Sequence, residues 1–411
     1  MPYRRILLAV DNSTCSVDAT RQAGFLARTF DATVVAAHVY AARLHDRRFA
    51  DLEPSLPSRY QDPKRLEASR RTHESLIGKG LQLISDSYLA ASRAALDGVR
   101  YEGKSIEGKH YVELARESAN GYDLAVIGAR GLGLASLDGQ CPPWALGGVC
   151  ERFLRRAQTD VLVTRDDRTI GGTILVGVDG SPESYAALRK ALKLAKVVGG
   201  RVEVATCFDP NFHPVAFDSI AGVLSEKDAK VFRFKEQEDL HARIIDKGLE
   251  NLYRGYLDNS GVVAQGRGQK IDTHLLTGKP AYEIASRARD VDPTLLVVSR
   301  FGMHRTDDSE IGNTAETLVR LVPCNVLVVN ERADEEPIAW SEEADERLQA
   351  IPAFMKPMVR KAIESYARSR GLTRITDEVV TAAKSSHGVP LPGHDKGDLP
   401  ARCGPPPRKE R

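Results

Sequence analysis

The 411-residue sequence contains no apolar run approaching the roughly 20 residues needed to cross a bilayer, which excludes a membrane-spanning helix as its organising element. Cysteine is scarce, with six residues and no Cys-x-x-Cys pair, so neither a disulfide framework nor a thiolate zinc site is expected. Charge of one sign is also missing. A formal net charge of +2 gives no field that would gather nucleic acid or a membrane surface, and neither partner is expected. No lysine follows a glycine-rich loop in Walker spacing, and no kinase catalytic set is present. No Ser/His/Asp or paired-carboxylate constellation can be placed by spacing either. The first residues run straight into a strand pattern, so no signal peptide is expected, and the chain reads as reduced and cytoplasmic.

What is present is a repetition. Ile6-Leu-Leu-Ala-Val-Asp11 recurs as Ile174-Leu-Val-Gly-Val-Asp179, and His110-Tyr-Val-Glu-Leu-Ala115 as Pro280-Ala-Tyr-Glu-Ile-Ala285. Leu124 to Arg130 returns as Leu295 to Arg300, Glu151 as Glu316, and Val161-Leu-Val163 as Val326-Leu-Val328. A unit of about 165–170 residues is too long for a solenoid repeat. Each copy should therefore be a domain with its own core.

The second copy shows the order of elements. The short apolar run over 174–178 suits a strand buried on both faces of a parallel sheet. Ser181 can cap the helix that follows, Pro182 suits its first position, Glu183 suits its dipole, and Gly199 with Gly200 ends it. A strand over 202–207 and a charged helical stretch over about 224–255 come next, then a strand near 271–276 and a helix over 282–288. A strand over 295–298, a polar loop, a helix from about Asn313 and a last strand over 326–329 close the unit. Alternating strands and helices predict a doubly wound parallel α/β sheet with right-handed crossovers. Such sheets bind ligands beyond the carboxyl ends of their strands, here between Asp179 and the segment 299–313, where a helix N-terminus attracts phosphate.

On these residues each copy resembles a universal stress protein domain, an α/β nucleotide-binding-like module of the Rossmann-like, adenine nucleotide alpha hydrolase-like kind. The resemblance covers about 4–165 and 172–330, within expected domains of 1–168 and 172–331. Its nucleotide-binding members carry Gly-x2-Gly-x9-Gly-Ser/Thr after the fourth strand and an Asp after the first. The second copy keeps that spacing in Ser299, Gly302 and Gly312, followed by Asn313 and Thr314, with Asp179 and Val204 completing the implied cofactor-binding set. The first copy has Asp11, Gly128, Gly131, Gly147 and Gly148, but fifteen residues separate Gly131 from Gly147. The extra residues include Cys141-Pro-Pro-Trp144, which could fill the pocket and distort the cradle. The resemblance thus implies ATP, with Mg²⁺, in the second copy before the first.

Other readings of single residues remain open. The glycines could serve turns alone, Asp11 and Asp179 could cap the first helix, and His304 and Arg305 could be loop charges. Cys15, Cys141 and Cys150 fall near the first copy's ligand edge and read as inert thiols. In this family the last strands commonly meet across an intramolecular twofold, which makes 161–163 and 326–329 the candidate seam of a pseudo-dimer; a homodimer of chains is the further option.

After an acidic linker over 331–337, a helical stripe carries Met355, Met358, Val359, Ala362, Ile363, Tyr366 and Ala367. The segment 338–384 resembles the small C-terminal domain of the B subunit of light-independent protochlorophyllide reductase, from Trp340 through Ile351-Pro-Ala-Phe354 to Arg374-Ile-Thr376. The cluster-binding cysteines of that enzyme are absent, so the resemblance implies an interaction module, expected to be all-helical, with an unidentified protein partner. Residues 385–411, which include Cys403, are rich in Pro, Gly and charge and should be disordered. The resulting expectation is a tandem stress-response regulatory module with no committed enzymatic activity. A weak ATPase and an adaptor of tetrapyrrole or iron–sulfur enzyme systems are the alternatives.

Overall fold

The computed structural model describes residues 3–135, 145–210, 246–303, 305, 310–330, 338–349, 356–370, 372 and 374–387. The insert at 141–144, His304, Met355, the linker 331–337, most of 224–255 and the chain beyond His387, with Cys403, lie outside the described residues.

The first copy comprises β1 (Arg5–Ala9), α1 (Thr14–Phe30), β2 (Thr33–Tyr40), α2 (Ala42–Leu52), α3 (Pro63–Ala95), β3 (Arg100–Glu107), α4 (His110–Ser118) and β4 (Leu124–Gly128). A short α5 (Leu132–Ala135), then α6 (Gly148–Arg156) and β5 (Asp160–Thr164), complete it. The second copy comprises β6 (Thr173–Gly177), α7 (Pro182–Val198), β7 (Arg201–Phe208), α8 (Asp246–Gln265), β8 (Ile271–Thr277), α9 (Pro280–Val291), β9 (Leu295–Ser299), α10 (Asn313–Leu321) and β10 (Asn325–Val329). The described helix α8 runs ten residues past the expected limit of 255 and packs against β7 and β8.

Local signals act as read. Ser181 caps α7 by accepting from Ser184 N at 3.1 Å, and Gly199, at φ 72°, turns the chain out of the helix. The central strands are buried on both faces, as their unbroken apolar runs require. At the two ends of the sheet lie β3 and β8, and these mix exposed and half-buried residues and carry charge, which discourages further strand pairing.

All ten strands form one sheet in the order β3-β2-β1-β4-β5-β10-β9-β6-β7-β8. Pairing is parallel within each copy, while β5 and β10 meet antiparallel, Val161 opposite Val328, Leu162 opposite Leu327 and Val163 opposite Val326. The candidate seam is therefore the seam. One expectation changes: the copies do not keep separate cores. The apolar layer on one face contains Leu8, Leu162, Leu327 and Val176 together, and the layer on the other contains Leu7, Val163, Val326 and Leu175. Continuing the sheet through β5 and β10 continues both layers of helices with it.

Polar groups lock the same seam with twofold regularity. Asp160 Oδ1 accepts from Asn330 N at 2.9 Å, and its counterpart Asn325 Oδ1 accepts from Arg165 N at 3.0 Å. On the neighbouring helices, Arg320 reaches Glu151 at 2.8 Å and Glu316 at 3.2 Å, while Arg155 reaches Glu151 at 3.1 Å and also pairs with Glu316. Burial opposes ionisation of Glu316, but hydrogen bonds from Arg155 and Arg320 outweigh it and hold the carboxyl below its ordinary 4.5. A depressed carboxylate contributes stability above its unfolded value and loses it as pH falls through the folded one. The double substitution Glu151→Gln, Glu316→Gln is thus expected to cost about 1 kcal/mol at neutral pH. Urea unfolding of both proteins should converge as the pH falls below 4.5. A gap that persists in acid would show that the quartet acts through shape rather than charge.

The chain beyond 336 is a separate compact unit. Helices α11 (Glu342–Gln349), α12 (Lys356–Ser369) and α13 (Asp377–His387) enclose Ala344, Leu348, Val359, Ile363, Tyr366, Ile375 and Val380. The unit is not purely helical: β11 (Ala339–Trp340) and β12 (Arg374–Ile375) pair in parallel. Backbone bonding across this pair fixes the chain on either side of α11 and α12, and Ser341 N continues it to Ile375 O at 2.9 Å. Helix α13 extends to His387, so order reaches slightly past the expected limit of 384. Among the described residues no helix is long and apolar enough to cross a membrane.

Candidate functional site

Both copies build the turn after their first strand in the same way. Asp11 Oδ1 accepts from Ser13 N at 3.1 Å and Ser13 Oγ at 2.6 Å, and Asp179 Oδ1 accepts from Ser181 N at 3.0 Å and Ser181 Oγ at 2.5 Å. The serines, not the aspartates, cap the helices, and each aspartate braces its serine. The second carboxylate oxygen reaches the loop after the fourth strand. Asp11 Oδ2 accepts from Leu132 N at 3.2 Å, and Asp179 Oδ2 accepts from Met303 N at 2.7 Å.

That strut explains two of the glycines. A Cβ at Gly131 would collide with Asp11 Oδ2, and one at Gly302 would collide with Asp179 Oδ2. Their bareness admits the aspartate. Gly128 has a related role, since a Cβ there would stand 2.9 Å from Cys15 backbone and side chain at the start of α1.

The cradle itself is equally formed in both copies. Gly147 (φ −67°, ψ 138°) and Gly312 (φ −70°, ψ 137°) are the N-caps of α6 and α10, and neither helix start has a side-chain cap. Gly147 N donates to Ala129 O and Gly312 N to Arg300 O, each at 2.8 Å. The longer connection in the first copy therefore does not distort Gly147, contrary to expectation, because this backbone bond closes the loop independently of its length. Uncapped amides at a helix start favour an anion.

The walls differ. In the first copy a cavity of about 350 Å³ opens at the carboxyl ends of β1, β2 and β4, a size within the range of small-molecule sites. Asp11, Arg130, Gly131, Gly147 and Gly148 line one side of it, and His38 and His110 line the β2–α4 side. Among the described residues a Cβ on Gly148 would meet nothing within 4 Å, so that position faces open space there. Cys150 also lines the cavity, but burial pushes its thiol up to about 12, which leaves it inert at neutral pH. Cys15 is buried as well.

In the second copy the same loop positions carry different groups. Counting from Gly302, Phe301 stands where the first copy has Arg130, and Arg305 stacks over its ring at 4.3 Å. Arg300 turns away to the seam, donating to Ala157 O at 2.5 Å and Glu310 O at 2.9 Å. Tyr256 of α8 packs on the first turn so closely that a Cβ at Gly180 would collide with its ring. Asn313 and Thr314 are exposed at the start of α10, and Ser299 ends β9. Val204 sits in mid-strand, fully buried in the core and opposite Val176. Among the described residues no group of three His, Cys, Asp or Glu side chains could hold a metal ion.

His38 and His110 escaped the reading of the sequence. A signal existed: His38 interrupts the otherwise apolar run Val34-Val-Ala-Ala37 before Val39, in a strand buried along its length.

Comparison with known proteins accords with this geometry. Residues 2–165 and 172–330 each match the Universal stress protein family, and residues 340–384 match the Proto-chlorophyllide reductase 57 kD subunit family. Putative universal stress proteins of Staphylococcus epidermidis and Staphylococcus saprophyticus are each 28% identical, over 165 and 166 residues, which is 40% of this chain and 86% of theirs. The crystal structure of a universal stress protein from Archaeoglobus fulgidus aligns with 79% of this chain and 98% of its own at a TM-score of 0.50 and 17% identity, a likeness of fold. Matched in tandem over most of its length, the chain belongs to the universal stress protein family and carries a C-terminal domain resembling that of protochlorophyllide reductase.

Proposed function

We propose that the protein is a nucleotide-responsive regulatory module that binds one adenine nucleotide, as ATP with Mg²⁺, in the first copy rather than the second. The carrying observation is the first-copy cavity, which joins the uncapped start of α6 to Arg130 and open space at Gly148. Phosphate oxygens would meet the free amides at 148–150 together with the Arg130 guanidinium, a cation and a helix dipole of matching sign. The spacing that favours Ser299, Gly302, Gly312, Asn313 and Thr314 preserves a cradle in the second copy, but there Phe301 replaces the cation at the corresponding position. Magnesium would be held by the phosphates and water, as is usual for that ion. Calorimetric titration of the full chain with ATP and Mg²⁺ is expected to give one site per chain. Two sites, or saturation only at the second copy, would refute the assignment. The C-terminal unit, through its family likeness, fits an adaptor for a protein partner; a pull-down that loses no partner on deletion of 338–384 would exclude that role.

A further inference from the structure

Helices α4 and α6 pack side by side in the first copy, and their charges do not balance. Every carboxylate on the two is already taken. Glu113 pairs with Arg116 of its own helix, Glu117 with Lys104 of β3, and Glu151 with Arg155 and with Arg320 of α10. Three bases remain. Lys109, just before α4, and Arg152 and Arg156, one turn apart on α6, are exposed and meet no carboxylate among the described residues. They are also gathered on one spot. Lys109 Nζ stands 5.0 Å from the centre of the Tyr111 ring, and the Arg156 and Arg152 guanidinium carbons stand at 5.2 Å and 5.3 Å. The positive field registers on the Tyr111 phenol: a hydrogen bond from Lys109 lowers its pKa, and the charges of Lys109, Arg156 and Arg152 lower it further.

Packing does not account for this cluster. The second copy builds the same helix pair from α9 and α10, with Lys279, Ala281, Thr317 and Leu321 at the corresponding positions. The ring and both arginines are gone there, and the helices pack without them. Nor does the ring settle the charges. It has two faces, and exposed contacts of cations with an aromatic ring are weak, so three like charges held this close still repel one another.

We propose that Lys109, Arg152 and Arg156, with Tyr111 between them, form a docking surface for an acidic segment of a partner protein, a short run of Asp and Glu side chains. Arginine pairs with carboxylates through two parallel hydrogen bonds, and Tyr and Arg are among the side chains that carry most binding energy at protein interfaces. Charge makes the occupant an anion, and the size of the patch narrows it further. Nucleic-acid affinity is built from about 6–10 phosphate contacts, and attraction to an acidic membrane from clusters of about 4–8 bases. Here there are three, on helices whose other charges include Glu113 and Glu151, which would repel a longer polyanion. Such a patch suits two or three carboxylates. The surface stands apart from the nucleotide reading, although it uses the same two helices: His110 and Leu114 of α4 and the first turn of α6 line the first-copy cavity.

The test is fluorescence anisotropy of a labelled hexaglutamate peptide titrated with the full chain at low and at physiological ionic strength. The expected result is saturable binding of one peptide per chain at low salt, weakening as salt screens the charges. The triple variant Lys109→Gln, Arg152→Gln, Arg156→Gln should bind about tenfold more weakly, the loss expected of several exposed charge pairs. Its unfolding midpoint should not move, because all three positions are exposed. The control variant Lys193→Gln, Lys196→Gln, Lys279→Gln removes the same charge from exposed positions elsewhere and should bind as the unsubstituted protein does. Equal weakening in the two variants, or no saturable binding to the unsubstituted protein, would overturn the proposal. A labelled oligothymidylate that binds more tightly than the peptide, and loses its affinity with the same three bases, would overturn it in favour of nucleic acid.

Discussion

Gly148→Val is expected to reduce the affinity for ATP by at least about 100-fold while leaving the unfolding midpoint nearly unchanged. The two halves of that result have separate causes. Among the described residues a Cβ at Gly148 meets no atom within 4 Å, so valine neither clashes with them nor fills the core. Its branched side chain would instead stand in the cavity at the start of α6, where phosphate oxygens must approach the helix amides. Losing two hydrogen bonds to a charged group, each worth about 1.5–3 kcal/mol, gives a weakening of that order. The same valine at Gly147 would be less informative, because a Cβ there already stands 3.3 Å from Ala129 O. Titration of ATP into Gly148→Val, with thermal unfolding of the same sample, checks both halves. Unaltered affinity would place the ligand elsewhere.

Asp160→Ala is expected to cost about 3–5 kcal/mol of stability, the usual penalty for breaking one side of a buried ion pair. Asp160 is 3% exposed and accepts from Lys190 Nζ at 2.7 Å, Asn330 N at 2.9 Å and Tyr3 OH at 3.3 Å. Lys190 and Asn330 belong to the second copy, so the carboxylate ties the two halves together. Alanine would leave the Lys190 ammonium without this counter-charge and Asn330 N without its acceptor. Asp160→Asn should recover part of the loss, because Asn325 performs the equivalent backbone capping on the other side of the seam without a charge. Because both core layers run through β5 and β10, denaturant unfolding should lose both copies in one transition. Two separate transitions would contradict the continuous core.

The duplication and the alternation of strands and helices were legible because apolar runs such as 6–10 and 174–178 have few alternatives once helices alternate with them. Pairing of β5 with β10 was not written in those residues; it came with the family likeness, and the antiparallel register confirms it. The site was harder to read. Motif spacing drew attention to Gly302 and Gly312, yet the first copy closes its longer connection with the same backbone bond, so spacing does not separate the copies. What separates them is side chains from distant segments: Arg130 against Phe301 in the loop, His38 on β2, and Tyr256 of α8 against the Gly180 turn. At Gly131 and Gly302 the bare position makes room for an aspartate carboxylate, a neighbour more than a hundred residues away in the chain. A sequence pattern records that a side chain must be absent without recording which neighbour requires it.

The most direct measurement is a crystal structure of the full chain grown with ATP and Mg²⁺. The account predicts a nucleotide in the first-copy cavity, its phosphates against the amides at the start of α6 and its remaining end toward the carboxyl end of β2. Nucleotide bound at Gly312 and Asn313, with the first-copy cavity empty, would contradict it.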